Sequence, residues 1–125
     1  ARIGKVEKAY QLFLHATRLD LDDYNNEAAQ GLHITSMPGS WLAIVRGFAG
    51  MQVLKETLCF SPVIPQKWDS YSFKVNYLKN TLHIRVGKEI EISLTAGSKV
   101  DIQVYGHPYT LERGTELKIN KPMCQ

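Results

Sequence analysis

The segment with the most chemical content is Gly31-Leu32-His33-Ile34-Thr35-Ser36-Met37-Pro38-Gly39-Ser40-Trp41. An imidazole and a run of hydroxyl side chains stand directly before an apolar stretch with helical character. A helix N-terminus presents backbone N–H groups without intrahelical partners and the positive end of a dipole. Donors such as His33, Thr35 and Ser36 could complete an anion site there. The plainer alternative stays open: Ser36 as an ordinary N-cap and His33 as a structural hydrogen bonder. Other chemistry is poorly represented. The remaining histidines, His15, His83 and His107, make no zinc spacing with the two cysteines. There is no GxxxxGK[ST] or GxGxxG loop. Ser72 and Ser93 lack a nucleophile-elbow context. Asp20-Leu21-Asp22-Asp23-Tyr24-Asn25-Asn26 superficially resembles a calcium loop, but Tyr24 and Asn25 stand where an oxygen ligand and a glycine are required. It reads as an Asx-rich turn. No metal site is expected.

The elements around this segment fall into two kinds. Residues 3–19 predict a helix, with Ile3, Val6, Tyr10 and Phe13 on one stripe and Ala9, Leu12, Ala16 and Leu19 on another. Two stripes imply cover on more than one side. Residues 20–40 predict a loop. A second helix is expected from about Gly39 to Gly50, with Pro38 in its first turn and Ser36 or Ser40 as cap. Trp41, Leu42, Ala43, Ile44, Val45, Phe48 and Ala49 make that helix apolar nearly all round, broken by Arg46. Fifty residues cannot surround it, so the rest of the chain or another chain must.

From about Val53 the period becomes two. Strands are expected at Leu58–Phe60, Tyr71–Tyr77, Leu82–Val86, Ile90–Leu94, Val100–Tyr105, Tyr109–Leu111 and Glu116–Ile119. Turns are expected at Lys79-Asn80, Gly87-Lys88 and Ala96-Gly97-Ser98. The expected fold is α+β: two or three N-terminal helices over residues 1–52, then an antiparallel β-sandwich of about seven strands over residues 53–125.

Composition excludes several classes. The chain has 125 residues, 44% hydrophobic, with 15 Lys+Arg against 12 Asp+Glu. Those values rule out wholesale disorder and two full domains. No apolar run approaches the roughly 18 residues of a membrane span. The basic excess lies after residue 52, spread as single residues (Lys67, Lys74, Lys79, Arg85, Lys88, Lys99). That pattern suits a solvated face better than a nucleic-acid patch. Two cysteines do not make a disulfide scaffold, and Cys59, between Leu58 and Phe60, is expected to be a buried free thiol. The start, Ala1-Arg2-Ile3-Gly4 without Met, suggests a truncated or processed product.

An ordered series of motifs resembles a known family. It runs through Ala16-Thr17-Arg18-Leu19-Asp20-Leu21-Asp22-Asp23-Tyr24-Asn25, Gly31-Leu32-His33-Ile34-Thr35-Ser36, Gly39-Ser40-Trp41 and Gly47-Phe48-Ala49-Gly50-Met51. It continues in Leu58-Cys59-Phe60-Ser61-Pro62, Pro65-Gln66-Lys67-Trp68 and Phe73-Lys74-Val75-Asn76-Tyr77. Together these resemble the C-terminal end of glycoside hydrolase family 65, over residues 16–95 or so. The resemblance implies the last helices of a catalytic (α/α)6 barrel followed by a C-terminal β-sandwich, with the rest of the barrel covering the apolar helix.

It also implies an inverting disaccharide phosphorylase, cleaving an α-glucoside such as maltose to β-glucose 1-phosphate and glucose. A glutamic acid upstream of this chain protonates the glycosidic oxygen. Inorganic phosphate attacks in place of the water and base of an inverting hydrolase. Phosphate is a co-substrate, and no cofactor is implied. The family's H-x-x-S phosphate residues fall on His33 and Ser36, with Thr35, Gly39 and Ser40 as further contributors. Thr35 stands where relatives often have Ala, and Pro38-Gly39-Ser40 where they often have Ala-Gly-Thr. The fragment alone is expected to be inactive. The full enzyme is expected to be a cytoplasmic homo-oligomer with no nucleic-acid or membrane partner. The isolated chain is expected to self-associate or rearrange to cover Trp41, Ile44, Val45 and Phe48. Alternatives are a hydrolase of the same family, a structural brace, or a carbohydrate-binding sandwich using Trp68, Tyr71, Tyr77, Tyr105 or Tyr109.

Overall fold

The computed structural model describes residues 4–18 and 36–122. Its first element is helix α1, Val6–Thr17. The segment VEKAYQLFLHAT has no Gly or Pro, and Glu7 sits in the first turn, where the helix dipole favours an anion. The last turn is closed by Arg18 N–H donating to Leu14 O at 3.1 Å and by the Thr17 hydroxyl within 3.0 Å of Phe13 O. The two-stripe pattern has a clear outcome. No α1 side chain is fully buried; Phe13 is half-buried and Leu12 is 61% exposed.

Helix α2, Ser36–Leu42, begins three residues before the expected Gly39. The expected loop over 20–40 is therefore wrong at its end. Pro38 is accommodated because the first-turn N–H groups have no intrahelical partner to lose. The helix then widens into a π-helical segment, Ala43–Phe48, closed by Ala49 N–H donating to Ile44 O at 2.8 Å. Gly50 ends it at φ +62°.

Eight strands follow: β1 Gln52–Leu54, β2 Thr57–Phe60, β3 Tyr71–Tyr77, β4 Asn80–Val86, β5 Glu89–Ala96, β6 Lys99–Val104, β7 His107–Glu112 and β8 Glu116–Asn120. They form two four-stranded sheets, ordered β1-β2-β6-β7 and β3-β4-β5-β8. The α+β class and the sandwich are as expected. Strand β1 is additional, and one pairing departs from the antiparallel rule: β2 and β6 run parallel, with Leu58 opposite Ile102. The turns at Gly87-Lys88 and Gly97-Ser98 fall where expected, between β4 and β5 and between β5 and β6, whereas the one expected at Lys79-Asn80 lies one residue earlier. Lys55-Glu56 and Leu78-Lys79 both take positive φ, the geometry of two-residue hairpins, without the usual Asn or Gly. Asn80, expected in a turn, instead opens β4 and is buried. Its amide donates to Leu78 O at 2.9 Å, and its side chain lies in space that a Cβ on Gly97 would fill.

Period-two burial builds the core. Leu82, Ile84 and Val86 face Ile90, Ile92 and Leu94 within one sheet, and Leu58, Phe60, Ile102, Val104 and Leu111 close it from the other. Val45 and Ala49 of the helical part belong to the same cluster. Val45 is 0% exposed and Phe48 2%. Of the two covers expected, the rest of the chain thus buries these residues: Val45 lies in the sandwich core, and Phe48 packs against Trp68 and against Phe13 of α1. Trp41 and Leu42, one to two turns earlier, remain 45% and 44% exposed.

Candidate functional site

The candidate anion site is described only from Ser36 onward. His33 and Thr35 lie outside the described residues. Ser36 is the first residue of α2. Pro38 and Gly39 are exposed, Ser40 is half-buried, and a Cβ placed on Gly39 would meet no atom within 4 Å. There is thus space beside the Gly39 Cα for a close approach, and Pro38 carries no N–H donor.

The opposite end of this helix is fixed to the sandwich. Val63 N–H donates to Phe48 O at 2.8 Å and Ser61 N–H to Ala49 O at 3.1 Å. Terminal carbonyls that the helix leaves open are thereby satisfied. The approach is close enough that a Cβ on Gly50 would sit 2.8 Å from Ser61 O. The loop between β2 and β3 that makes these bonds is itself tied down. The Tyr71 hydroxyl donates to Val63 O at 2.9 Å, and the Tyr105 hydroxyl donates to Pro62 O. Burial, with a smaller contribution from Tyr105, pushes the Tyr71 phenol above its ordinary range; burial does the same to Tyr105. Both therefore stay protonated donors.

Trp68 lies at the centre of this joint. Its ring is 5.1 Å from that of Phe48, 5.5 Å from Phe13, 5.7 Å from Tyr10 and 5.7 Å from Tyr71. Gln66 N–H donates to the Glu7 carboxylate at 3.0 Å, joining the same loop to α1. Trp68, Tyr71 and Tyr105, considered above for sugar stacking, are engaged in packing, and Tyr77 donates to Glu56 O at 2.7 Å. Tyr109 lines a shallow cleft of about 510 Å³ on the first sheet, where the Thr110 hydroxyl is 2.6 Å from the Asp101 carboxylate. The hub around Trp68 was not apparent from sequence; Pro65-Gln66-Lys67-Trp68 was its only trace.

Other candidates are dispersed. His15 is exposed on α1, His83 is half-buried opposite Lys74 on β4, and His107 is exposed at the start of β7. Among the described residues no three His, Cys, Asp or Glu side chains converge on a metal position, and no helix is long and apolar enough to cross a membrane. Cys59 is a buried free thiol, as expected. Lys67, Lys74, Lys79, Arg85, Lys88 and Lys99 are all exposed.

A solved structure shares this architecture over nearly the whole of this chain. A chain named "Putative kojibiose phosphorylase from human microbiome" superposes with a TM-score of 0.90 at 34% identity, covering 99% of this chain and 18% of that one. The maltose phosphorylase of Bacillus subtilis (strain 168) is 47% identical over 119 residues, 94% of this chain and 16% of that protein. The alpha,alpha-trehalose phosphorylase of Geobacillus stearothermophilus is 38% identical over 120 residues, 95% of this chain and 16% of that protein. The chain therefore spans about one sixth of the length of these relatives. The model of the glycosyl hydrolase family 65 central catalytic domain matches residues 1–42, and that of the family's C-terminal domain matches residues 51–111. The chain belongs to glycosyl hydrolase family 65. Residues 43–50, between the two matches, are the π-helical segment with Ala49 and Gly50 at its end.

Proposed function

We propose that this chain is the C-terminal part of an inverting disaccharide phosphorylase. The enzyme uses inorganic phosphate to cleave an α-glucoside such as maltose into β-glucose 1-phosphate and glucose. The 47% identity to a maltose phosphorylase carries this reading. His33 and Ser36 bind phosphate, with Thr35, Gly39 and Ser40 contributing at the start of α2. Phosphate replaces both the water and the base of an inverting hydrolase, so the protein needs one general acid, contributed from outside these 125 residues. The rest of the barrel is the partner that covers Trp41 and Leu42. The working enzyme is a cytoplasmic homo-oligomer with no cofactor beyond its phosphate co-substrate.

Two measurements test this. The 125-residue chain, mixed with maltose, trehalose or kojibiose and phosphate, is expected to yield no sugar 1-phosphate; its appearance overturns the division of labour. In the full-length polypeptide carrying these residues, His33→Ala is expected to raise the KM for phosphate by about tenfold or more, the loss of a charged hydrogen bond. An unchanged value removes His33 from the site, and cleavage independent of phosphate makes the enzyme a hydrolase.

A further inference from the structure

The helix with Ser36 at its first residue runs through thirteen residues to Phe48. Its two ends differ in how they are held. At the far end, the Phe48 and Ala49 carbonyls accept from the loop between β2 and β3, and Val45 and Ala49 enter the sandwich core. That loop is bonded to β3 by Tyr71 and to the residue after β6 by Tyr105. Its Trp68 fills the space between the loop, Phe48 and the Phe13 face of α1. The π-helical turn between Ala43 and Phe48 adds a residue to the circumference, a distortion that costs regular hydrogen bonding and persists where packing demands it. The ring of Trp68 thus packs against Phe48 at the place where the helix meets the sandwich.

We propose that Trp68 is a positioning residue for phosphate, acting through Phe48 and the helix that leads back to Ser36. The proposal rests on the reading in which His33 and Ser36 bind phosphate. At about 1.5 Å per residue the helix is roughly 18 Å long. A tilt of about 5° at Phe48 would move the Ser36 end by roughly 1.5 Å, enough to take a donor there out of the roughly 2.7–3.2 Å range of a hydrogen bond to bound phosphate. The C-terminal sandwich, which carries no expected catalytic group, is thereby part of the phosphate site's construction.

The test is a split between two Michaelis constants in the full-length polypeptide. Trp68→Leu keeps an apolar side chain but removes the ring. It is expected to raise the KM for phosphate by about tenfold while the KM for the disaccharide stays within about twofold. Trp68→Phe, which restores a ring, is expected to recover most of the loss. Equal changes in both constants, or a fall in kcat alone, would reduce Trp68 to general structural support and overturn the proposal. Should Trp68→Leu fail to fold, Phe48→Leu removes the other ring of the pair and is judged by the same split. His33→Ala, measured alongside, separates the two levels. If it leaves the phosphate KM unchanged, the site reading fails. If it raises that KM and the Trp68 and Phe48 variants do not, the site stands and the positioning role falls.

Discussion

The two parts of this chain solve the problem of burial differently. The sandwich closes on itself: two sheets supply a continuous set of fully buried Leu, Ile, Val and Phe side chains. The helical part does not. Helix α1 has no fully buried residue, and Leu12, Trp41 and Leu42 leave 61%, 45% and 44% of their surface open. Leu12 and Phe13 line an apolar groove of about 270 Å³ between α1 and the π-helical segment. The contrast shows where a small module can stand alone and where it is built to be completed. The boundary runs through a single helix, whose last turn belongs to the sandwich core while Trp41 and Leu42 remain open.

Matched truncations on either side give the sharpest test of this contrast. Ile92→Ala in the sandwich is expected to cost about 2–5 kcal/mol of unfolding free energy, through lost burial and the cavity left behind. Leu12→Ala on α1 should cost less than about 1 kcal/mol, since little is removed from contact. Urea denaturation of the 125-residue chain measures both, and similar losses would erase the distinction.

A smaller effect is expected at the boundary itself. Gly50→Ala places a Cβ 2.8 Å from Ser61 O at a positive φ, so about 1–3 kcal/mol of strain must be relieved by parting the helix end from the loop. Hydrogen exchange should then quicken at Ala49, Met51, Ser61 and Val63, with the strands unaffected. Uniform loss of protection would mean that the helix end and the sandwich unfold as one unit.

The subtlest test concerns Tyr71. Its folded-state pKa is raised above the ordinary phenol value of 10.0. The folded state therefore holds the proton more tightly than the unfolded chain. The resulting stability is fully present below about pH 10 and is lost as pH rises beyond it. Tyr71→Phe should flatten this alkaline loss while costing about 0.5–1.5 kcal/mol at neutral pH for the bond to Val63 O. An identical alkaline slope in the variant would assign the effect to other groups.

How much was readable beforehand follows the same division. The strands were legible because each alternates between a dry and a wet face, as Leu82, Ile84 and Val86 do against Thr81, His83 and Arg85. The Lys55-Glu56 turn was not, and the Leu78-Lys79 turn was expected one residue late, because neither pair belongs to the residue types that relieve a positive φ; the strands on either side impose it. The apolar excess from Trp41 to Ala49 was legible, but its cover was not: which neighbour buries Val45 is a property of tertiary packing. His33 and Ser36 were reached through family resemblance, since a hydroxyl before a helix is as consistent with a cap as with a ligand. Trp68 was visible as a residue but not as a hub, because its ring partners come from residues as distant as Tyr10 and Phe13.

The parallel pairing of β2 with β6 has a consequence for the order of synthesis. β2 follows the helical segment closely and pairs at once with β1, yet its second partner in the sheet is not made until some forty residues later, when Ile102 and Val104 come to lie beside Leu58 and Phe60. A nascent chain therefore carries the apolar segment from Trp41 to Ala49 through the production of β3, β4 and β5 before the sheet beside it can close. Contacts of such long sequence separation form late and slowly. A helical segment joined to a sheet in this way waits for residues made some forty positions later before its seat in the core is complete.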